Sequence, residues 1–230
     1  MLATIVNAVV VILGGLVGLL LGKRLKDEYI STIVVGLGIC GMVIGIENAI
    51  GTEDILVVIC SLVIGSLSGE LLKIEEKLDC AGEILKRKVA RGGNSRFTEG
   101  FVTASLLFCV GSMSVLGSFD AGVRGDYTMI FAKSALDCVM SMAFAVTMGV
   151  GVLFSSVTIL LYQGALTLLA GVIEPMLSPA AIREMNAVGG IMLIATSLNV
   201  TGLTKNRIRV GNMLPALIIP AIWYAIRGLF

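Results

Sequence analysis

Long apolar stretches, each close to the length of a membrane-crossing helix, alternate with short polar connections along almost the whole of this chain. A helix needs about 20 apolar residues to cross the hydrocarbon core of a bilayer. Eight such stretches are present: Thr4 to Gly22, Ile30 to Ile50, Asp54 to Leu72, Phe97 to Phe119, Thr128 to Met148, Gly151 to Ile173, Met185 to Val200 and Met213 to Ile226. The division between the fifth and sixth rests on Gly149 and Gly151 alone. The pattern predicts an all-α, polytopic membrane protein of about eight transmembrane helices, a single transmembrane domain over residues 1–230.

One polar connection is longer than the rest. Over residues 73–96, Ile74, Leu78, Ala81, Leu85 and Val89 recur on one helical face. This segment reads as a cytoplasmic amphipathic helix at the inner membrane surface, its basic end within reach of anionic lipid. A solvated linker helix is the other reading. Gly92, Gly93, Asn94 and Ser95 interrupt it before the fourth span.

Charge placement orients the bundle. With the N-terminus outside, the inner connections hold thirteen Lys and Arg and the outer segments three, namely Arg124, Arg183 and Arg227. That is the bias expected of cytoplasmic loops. It favours an even span count, because losing one span would move Lys205, Arg207 and Arg209 to the wrong side. The C-terminus then also lies outside. Lys23, Arg24 and Lys26 follow the first apolar run and no basic residue precedes it. That order fits an uncleaved anchor, not a cleaved signal.

Composition narrows the function classes. Of 230 residues, 57% are hydrophobic and 14% charged, whereas a soluble domain carries about 25% charged residues. The mean hydropathy is +0.99, and eight spans leave no length for a separate soluble domain. Histidine is absent, which removes His-based catalysis and most zinc chemistry. No metal or other cofactor is expected. The cysteines Cys40, Cys60, Cys80, Cys109 and Cys138 form no C-x-x-C pair and are expected as small buried hydrophobes.

Glycines recur at four-residue spacing: Gly14, Gly18 and Gly22; Gly41 and Gly45; Gly65 and Gly69. Small residues so spaced let helix backbones approach closely, which indicates a packed bundle and, more weakly, a homodimer. Residues 14–22 (GGLVGLLLG) can be laid on 163–171 (QGALTLLAG), and 34–39 (VVGLGI) on 187–192 (AVGGIM). Spans one to three would then match spans six to eight around a central helix pair. An offset of five spans gives the two triplets opposite orientation, the arrangement of inverted-repeat transporters.

Candidate chemistry concentrates in spans four and five. A charged side chain at the centre of a span costs about 2.5–3.5 kcal/mol on insertion scales. Span five nevertheless carries Lys133 and Asp137, four residues apart on one face, extended by Ser134 and Ser141. Asp137 lies roughly 13 Å into the span at about 1.5 Å per residue, while Lys133 is close enough to the outer end to snorkel. The pair is either a proton, cation or substrate site, or a neutralised structural ion pair. In span four, Gly111, Ser112, Ser114, Gly117 and Ser118 crowd one half of the helix. They weaken it enough for a break lining a cavity, an intact close-packed helix being the alternative. Gln163 near the centre of span six is a further candidate contact, and Asn48, Asn199 and Asn212 are secondary ones. For Asn7 and Glu47, as for most of these polar groups, an inter-helix hydrogen bond is the simpler reading. Pro215 and Pro220 predict a kink or break in span eight.

Four blocks, FCVGSMSVLGS (108–118), GDYTMIFAKSALDCVMSMAFA (125–145), GVGVLFSSVTILLYQGALTLLA (149–170) and IRVGNMLPAL (208–217), together resemble the YqgA/YdfK-type family of bacterial inner-membrane proteins, a domain of unknown function. The resemblance covers essentially the whole chain. It includes Gly111, Met113, Lys133, Asp137, Gln163, Asn212 and Pro215. It implies a multi-pass protein of the bacterial inner membrane and supplies no substrate.

Two functions fit. The first is a small secondary transporter or channel for a solute or ion, with Asp137 near the midplane. The second is a non-transporting scaffold or subunit of a larger membrane complex, which a dry interior with Lys133 and Asp137 paired would favour. An enzyme is not expected, because Asp137 is the only Asp or Glu well inside the spans and histidine is absent; no nucleotide-binding loop is present, which argues against ATP-driven transport. The expected partners are the lipid bilayer and a small solute or ion, without nucleic acid.

Overall fold

The computed structural model describes residues 1–22, 24, 26–89, 96–109, 112–173 and 177–227, which are helical nearly throughout and contain no strand. In order they form α1 (Leu2–Gly22), α2 (Asp27–Ile50), α3 (Ile55–Leu72), α4 (Ile74–Val89), α5 (Phe97–Cys109) and α6 (Ser112–Phe119). After a π-helical turn (Asp120–Arg124) come α7 (Thr128–Met148), α8 (Gly151–Ile173), α9 (Pro179–Thr201), a 3-10 segment (Val210–Leu217) and α10 (Ile219–Arg227).

Local chemistry sets the boundaries. The Asp54 carboxylate accepts from the Val57 N–H at 3.4 Å and caps α3, while Lys73 takes a left-handed conformation (φ 53°) that turns the chain into α4. Ser178 caps α9 at the Ala181 N–H (3.1 Å), with Pro179 opening the helix. Ahead of α7, the Asp126 carboxylate accepts from the Thr128 N–H (2.9 Å) and hydroxyl (2.7 Å), which holds it below the usual carboxylate range.

Two expected spans are interrupted. Phe97–Cys109 and Met113–Arg124 lie at 57° to each other, on either side of residues 110–111, which lie outside the described residues, so this stretch is a bent helix pair and not one straight helix. Pro215 lies within the 3-10 segment and Pro220 opens the way into α10. Pro220 has no N–H to donate and its ring crowds the carbonyl four residues back, so one straight helix cannot run through.

Six of the described helical segments are long and apolar enough to cross a membrane: Leu2–Gly22, Glu28–Ile50, Ile55–Leu72, Thr128–Met148, Gly151–Val172 and Val210–Arg227. The bent pair makes up to seven, against the eight expected. α9 has the length but carries Arg183, Glu184, Asn186 and Asn199. It also begins at Pro179, six residues before the expected start, because the Ser178–Pro179 cap admits Arg183 and Glu184 into its first turns.

Large apolar side chains cover the outer faces. On α1, Leu2, Ile5, Val9, Leu13, Leu16 and Leu20 are exposed while Ala3, Thr4, Asn7, Ala8, Val11, Gly14 and Gly18 are buried. Such a face, repeated on α2, α3 and α8, is a lipid-facing surface. The protein is a multi-pass membrane protein. The cysteines depart from expectation: only Cys109 is buried and Cys138 half-buried, whereas Cys40, Cys60 and Cys80 are exposed. Cys40 and Cys60 sit on the outer faces of α2 and α3, where a small apolar side chain meets lipid as readily as core.

The helices form two compact units. One gathers Met1–Leu37, Asp79–Cys109 and Met113–Gly171; the other gathers Gly38–Leu78 and the chain from Val172 onward. In the first, α1 runs parallel to α7. A Cβ at Gly14 or Gly18 would overlap the backbone carbonyl of Cys138 or Met142, and one at Gly22 would press on Val146. In the second, Gly45 and Gly190 face each other's carbonyls across α2 and α9, and Gly65 and Gly69 lie against Ala216 and Asn212 of the 3-10 segment. Both of these pairings are antiparallel.

Gly18→Val forces a branched side chain into the Met142 backbone. It should destabilise the protein by about 1–3 kcal/mol, the usual cost of overpacking. Gly36, which has open space around its Cα, provides the comparison. Thermal unfolding in detergent should show a lowered Tm for Gly18→Val and none for Gly36→Val; equal Tm values would refute the close-contact assignment.

Candidate functional site

Three helices of the first unit converge on one polar node. α1 carries Thr4 and Asn7 one turn apart, α7 carries Lys133 and Asp137 one turn apart, and α8 carries Gln163 and Thr167 likewise. The i, i+3 and i, i+4 spacings put each pair on a single face, and all six side chains are buried.

Asp137 is the hub. Its Oδ2 accepts from Lys133 Nζ in a close ion pair and from Asn7 Nδ2 at 3.1 Å. Asn7 Nδ2 also donates to Gln163 Oε1 at 3.2 Å. One turn away, the Thr4 and Thr167 hydroxyls approach to 3.4 Å. The Lys133 ammonium lies 5.9 Å from the ring centroid of Phe108, the penultimate residue of α5, a cation–π distance. The node therefore adjoins the interrupted fourth span. Lys133 does not snorkel as expected. Its side chain is 7% exposed and that of Asp137 is 9%, because the carboxylate one turn along the same helix offers the ammonium a partner.

Chemistry fixes the amide orientations. A carboxylate paired with an ammonium only accepts, so Asn7 must present its nitrogen to Asp137. The second Asn7 N–H then requires an acceptor, which turns the Gln163 oxygen toward it. Two atoms are left over: Asn7 Oδ1 and Gln163 Nε2 are buried without a hydrogen-bond partner. Both residues are fully buried.

The other candidates are engaged differently. Ser134 donates to the Ile130 carbonyl (2.7 Å), and Ser141 donates to Val11 of α1 (2.9 Å) and to its own helix at Cys138 (3.1 Å). Ser114 donates to the Phe108 carbonyl (2.9 Å), satisfying a group that the break in the helix frees, and Ser118 donates to Ser114 (2.6 Å). Gly111 lies outside the described residues, as does the side chain of Ser112, which opens α6. Asn48, Asn199 and Asn212 belong to the second unit. Asn48 packs beside Gly190, Asn199 holds Ile208 through both its N–H and carbonyl (2.8 Å each), and Asn212 accepts from the Glu75 N–H (2.7 Å). Glu47 is exposed.

Asn7 is the residue that sequence reasoning undervalued. Its signal was a lone amide in an otherwise apolar span, one turn after Thr4. Two buried carboxylates of the second unit were also missed. Glu184 accepts from the Thr52 hydroxyl and the Glu53 N–H (3.1 Å) and lies 3.5 Å from Arg183. Glu75 accepts from the Gly211 N–H (2.6 Å) and pairs with Arg207 (2.9 Å). Both clamp loops between helices.

Apolar helices with lipid-facing surfaces around a buried, charge-neutral polar node define a polytopic α-helical membrane protein with a candidate intramembrane binding site. The chain belongs to the family described as "Protein of unknown function (DUF554)", whose model matches residues 2–225. It is similar to the uncharacterized membrane protein YdfK of Bacillus subtilis (strain 168), with 33% identity over 228 residues covering 96% of this chain and 95% of that one. It is also similar to the uncharacterized protein YqgA of Escherichia coli (strain K12), with 29% identity over 218 residues covering 93% and 92%. No solved structure matches it.

The ion pair makes a testable energetic demand. Removing one partner of a buried pair strands the other charge at a cost of about 3–5 kcal/mol, whereas replacing both is close to neutral. Lys133→Met alone should therefore lower the Tm strongly, and adding Asp137→Leu should restore most of the loss. Additive losses in the double variant would show that the two groups are not coupled.

Proposed function

We propose that this protein is a secondary transporter or channel for a small solute or ion, with its binding site at the Asn7–Lys133–Asp137–Gln163 node. The observation that carries this reading is the pair of unsatisfied buried atoms. A buried polar group without a partner costs about 1–3 kcal/mol, and native structures keep such groups where a ligand or water completes them. Depth and surroundings agree: Asp137 is about nine residues into α7, and the interrupted α5–α6 span adjoins the node. Discontinuous helices near the midplane are a recurrent way to build transport sites. The node holds one carboxylate, one amine and two amides, a binding set rather than a catalytic one, and no enzymatic activity is proposed.

Helix directions support eight crossings. α9 packs lengthwise and antiparallel on α2, from Gly38 opposite Thr201 to Gly45 opposite Gly190. α2 is apolar enough to span, and a helix packed along it would lie at the same depth, with Arg183 and Glu184 near its first turns. The parallel run of α1 and α7 calls for an odd number of crossings between them, which α2, α3 and a single crossing by α5–α6 would supply. An inverted repeat is supported in the same way. α1 meets α8, α2 meets α9, and α3 meets the 3-10 segment, each pair antiparallel, as two oppositely inserted triplets require. The proposed location is the bacterial inner membrane with both termini outside. In a cysteine-free background, Lys205→Cys should then react with an impermeant thiol reagent only from the cytoplasmic side and Arg124→Cys only from outside. The reverse pattern would invert the topology.

A scaffold or complex subunit is the second reading, and the observed Lys133–Asp137 pairing favours it. Reconstitution separates the two. Proteoliposomes holding the wild type should pass a small solute or ion faster than empty liposomes. Asp137→Asn should cut that flux at least tenfold while the protein stays monodisperse. Undiminished flux in the variant would remove the node from the pathway, and absence of flux in the wild type would favour the scaffold.

A further inference from the structure

Building on the transport reading, we propose that the node binds a small uncharged solute presenting a hydrogen-bond donor beside an acceptor, the pattern of a primary amide or of urea. The charge balance of the site carries the first half of the argument. Lys133 and Asp137 neutralise each other inside the protein, so an ion entering beside them would bring an unbalanced charge into a medium that penalises it heavily. A cation could use Asp137 only by displacing an ammonium already fixed one turn away and resting over the Phe108 ring. An anion could use Lys133 only against Asp137.

The unmet hydrogen-bonding capacity carries the second half. What the site lacks is one donor, for Asn7 Oδ1, and one acceptor, for Gln163 Nε2. The two amides are joined by a hydrogen bond of 3.2 Å, so the free atoms sit on adjoining groups. A single carboxamide or ureido group carries both of the functions these atoms need, an N–H to donate to Asn7 and a C=O to accept from Gln163. The Asp137 carboxylate holds this polarity in place. It dictates the orientation of Asn7, Asn7 dictates that of Gln163, and neither amide can flip without setting oxygen against oxygen or nitrogen against nitrogen. The geometry discriminates between solutes, because a site built to hydrogen-bond a ligand rejects analogues lacking the group. The same two atoms are also within the chemistry of a single resident water, which the test must separate.

The experiment follows solute entry into proteoliposomes of the full chain by stopped-flow light scattering, with urea and acetamide as probes. Potassium, chloride and methylammonium fluxes are measured on the same vesicles. Urea and acetamide should enter at least tenfold faster than into protein-free vesicles, with the ions at background. Gln163→Leu should abolish the difference. Gln163→Met, which keeps the length of the side chain and removes the donor without adding charge, should lower urea entry at least tenfold even if the leucine variant does not fold. Ion flux without urea entry would overturn the ligand class and leave the transport reading standing. Water permeation alone would assign the two atoms to a resident water and overturn the proposal. No flux of any probe would remove both readings together.

Discussion

The close approach of α1 to α7 is the constraint on which the node depends. Between apolar helices in lipid there is little hydrophobic gain from association, so contact comes from backbone proximity and hydrogen bonds. Gly14 and Gly18 remove the side chains that would hold α1 away from the Cys138 and Met142 carbonyls. With the backbones that close, Ser141 reaches the Val11 carbonyl and Asn7, further up the same face, reaches Asp137. A wider spacing would leave Asp137 with Lys133 alone and Asn7 without its donor contact. The glycine spacing and the polar node are thus two consequences of one packing arrangement, offset by two turns of α1.

The second unit solves a related problem by other means. Its glycine contacts bring α2 to α9 and α3 to the 3-10 segment, but its buried carboxylates go to loop ends rather than to a central cluster. Glu184 closes the turn at Thr52 and Glu53, and Glu75 closes the turn at Gly211. Each is satisfied by backbone N–H groups together with an arginine that is partly exposed. They lie outside the apolar stretches read from the sequence, and the arginines paired with them are 35% and 46% exposed. The Asp137 carboxylate has no such outlet, and its compensation comes from within the helices themselves.

Much of this was legible in the sequence because it follows from spacing. Long apolar runs located six of the eight expected spans, four-residue glycine repeats located the helix contacts, and the i, i+4 relation of Lys133 and Asp137 located the charged face. The interruption of the fourth span was legible as a choice between a break and a packed helix, since Ser and Gly lower helix stability without dictating where it yields. Relations between distant segments were not legible. Asn7 and Gln163 are separated by 156 residues, and nothing local to Asn7 distinguishes a node member from an isolated inter-helix hydrogen bond. For Lys133 the spacing left two routes open, outward to the interface or onto the carboxylate one turn along, and the buried pair with Asp137 takes the second. The start of α9 was displaced because hydropathy begins at Met185 while the helix begins at its cap.

The node and the bent fourth span adjoin, and the reason is physical. A helix broken at depth frees backbone carbonyls that must find donors. Ser114 supplies one for Phe108 from the far side of the break, and the Lys133 ammonium over the Phe108 ring places positive charge near the end of α5, where the helix dipole is negative. Lys133 is thus held from two directions, by Asp137 along its own helix and by the end of α5 beside it. That arrangement stabilises the ammonium without consuming the amides, and so Asn7 and Gln163 retain their unpaired atoms. A buried ion pair needs further hydrogen bonds to its remaining lone pairs, and Asn7 supplies one to Asp137. The two amide atoms left incomplete, Asn7 Oδ1 and Gln163 Nε2, are the part of the site that packing does not account for.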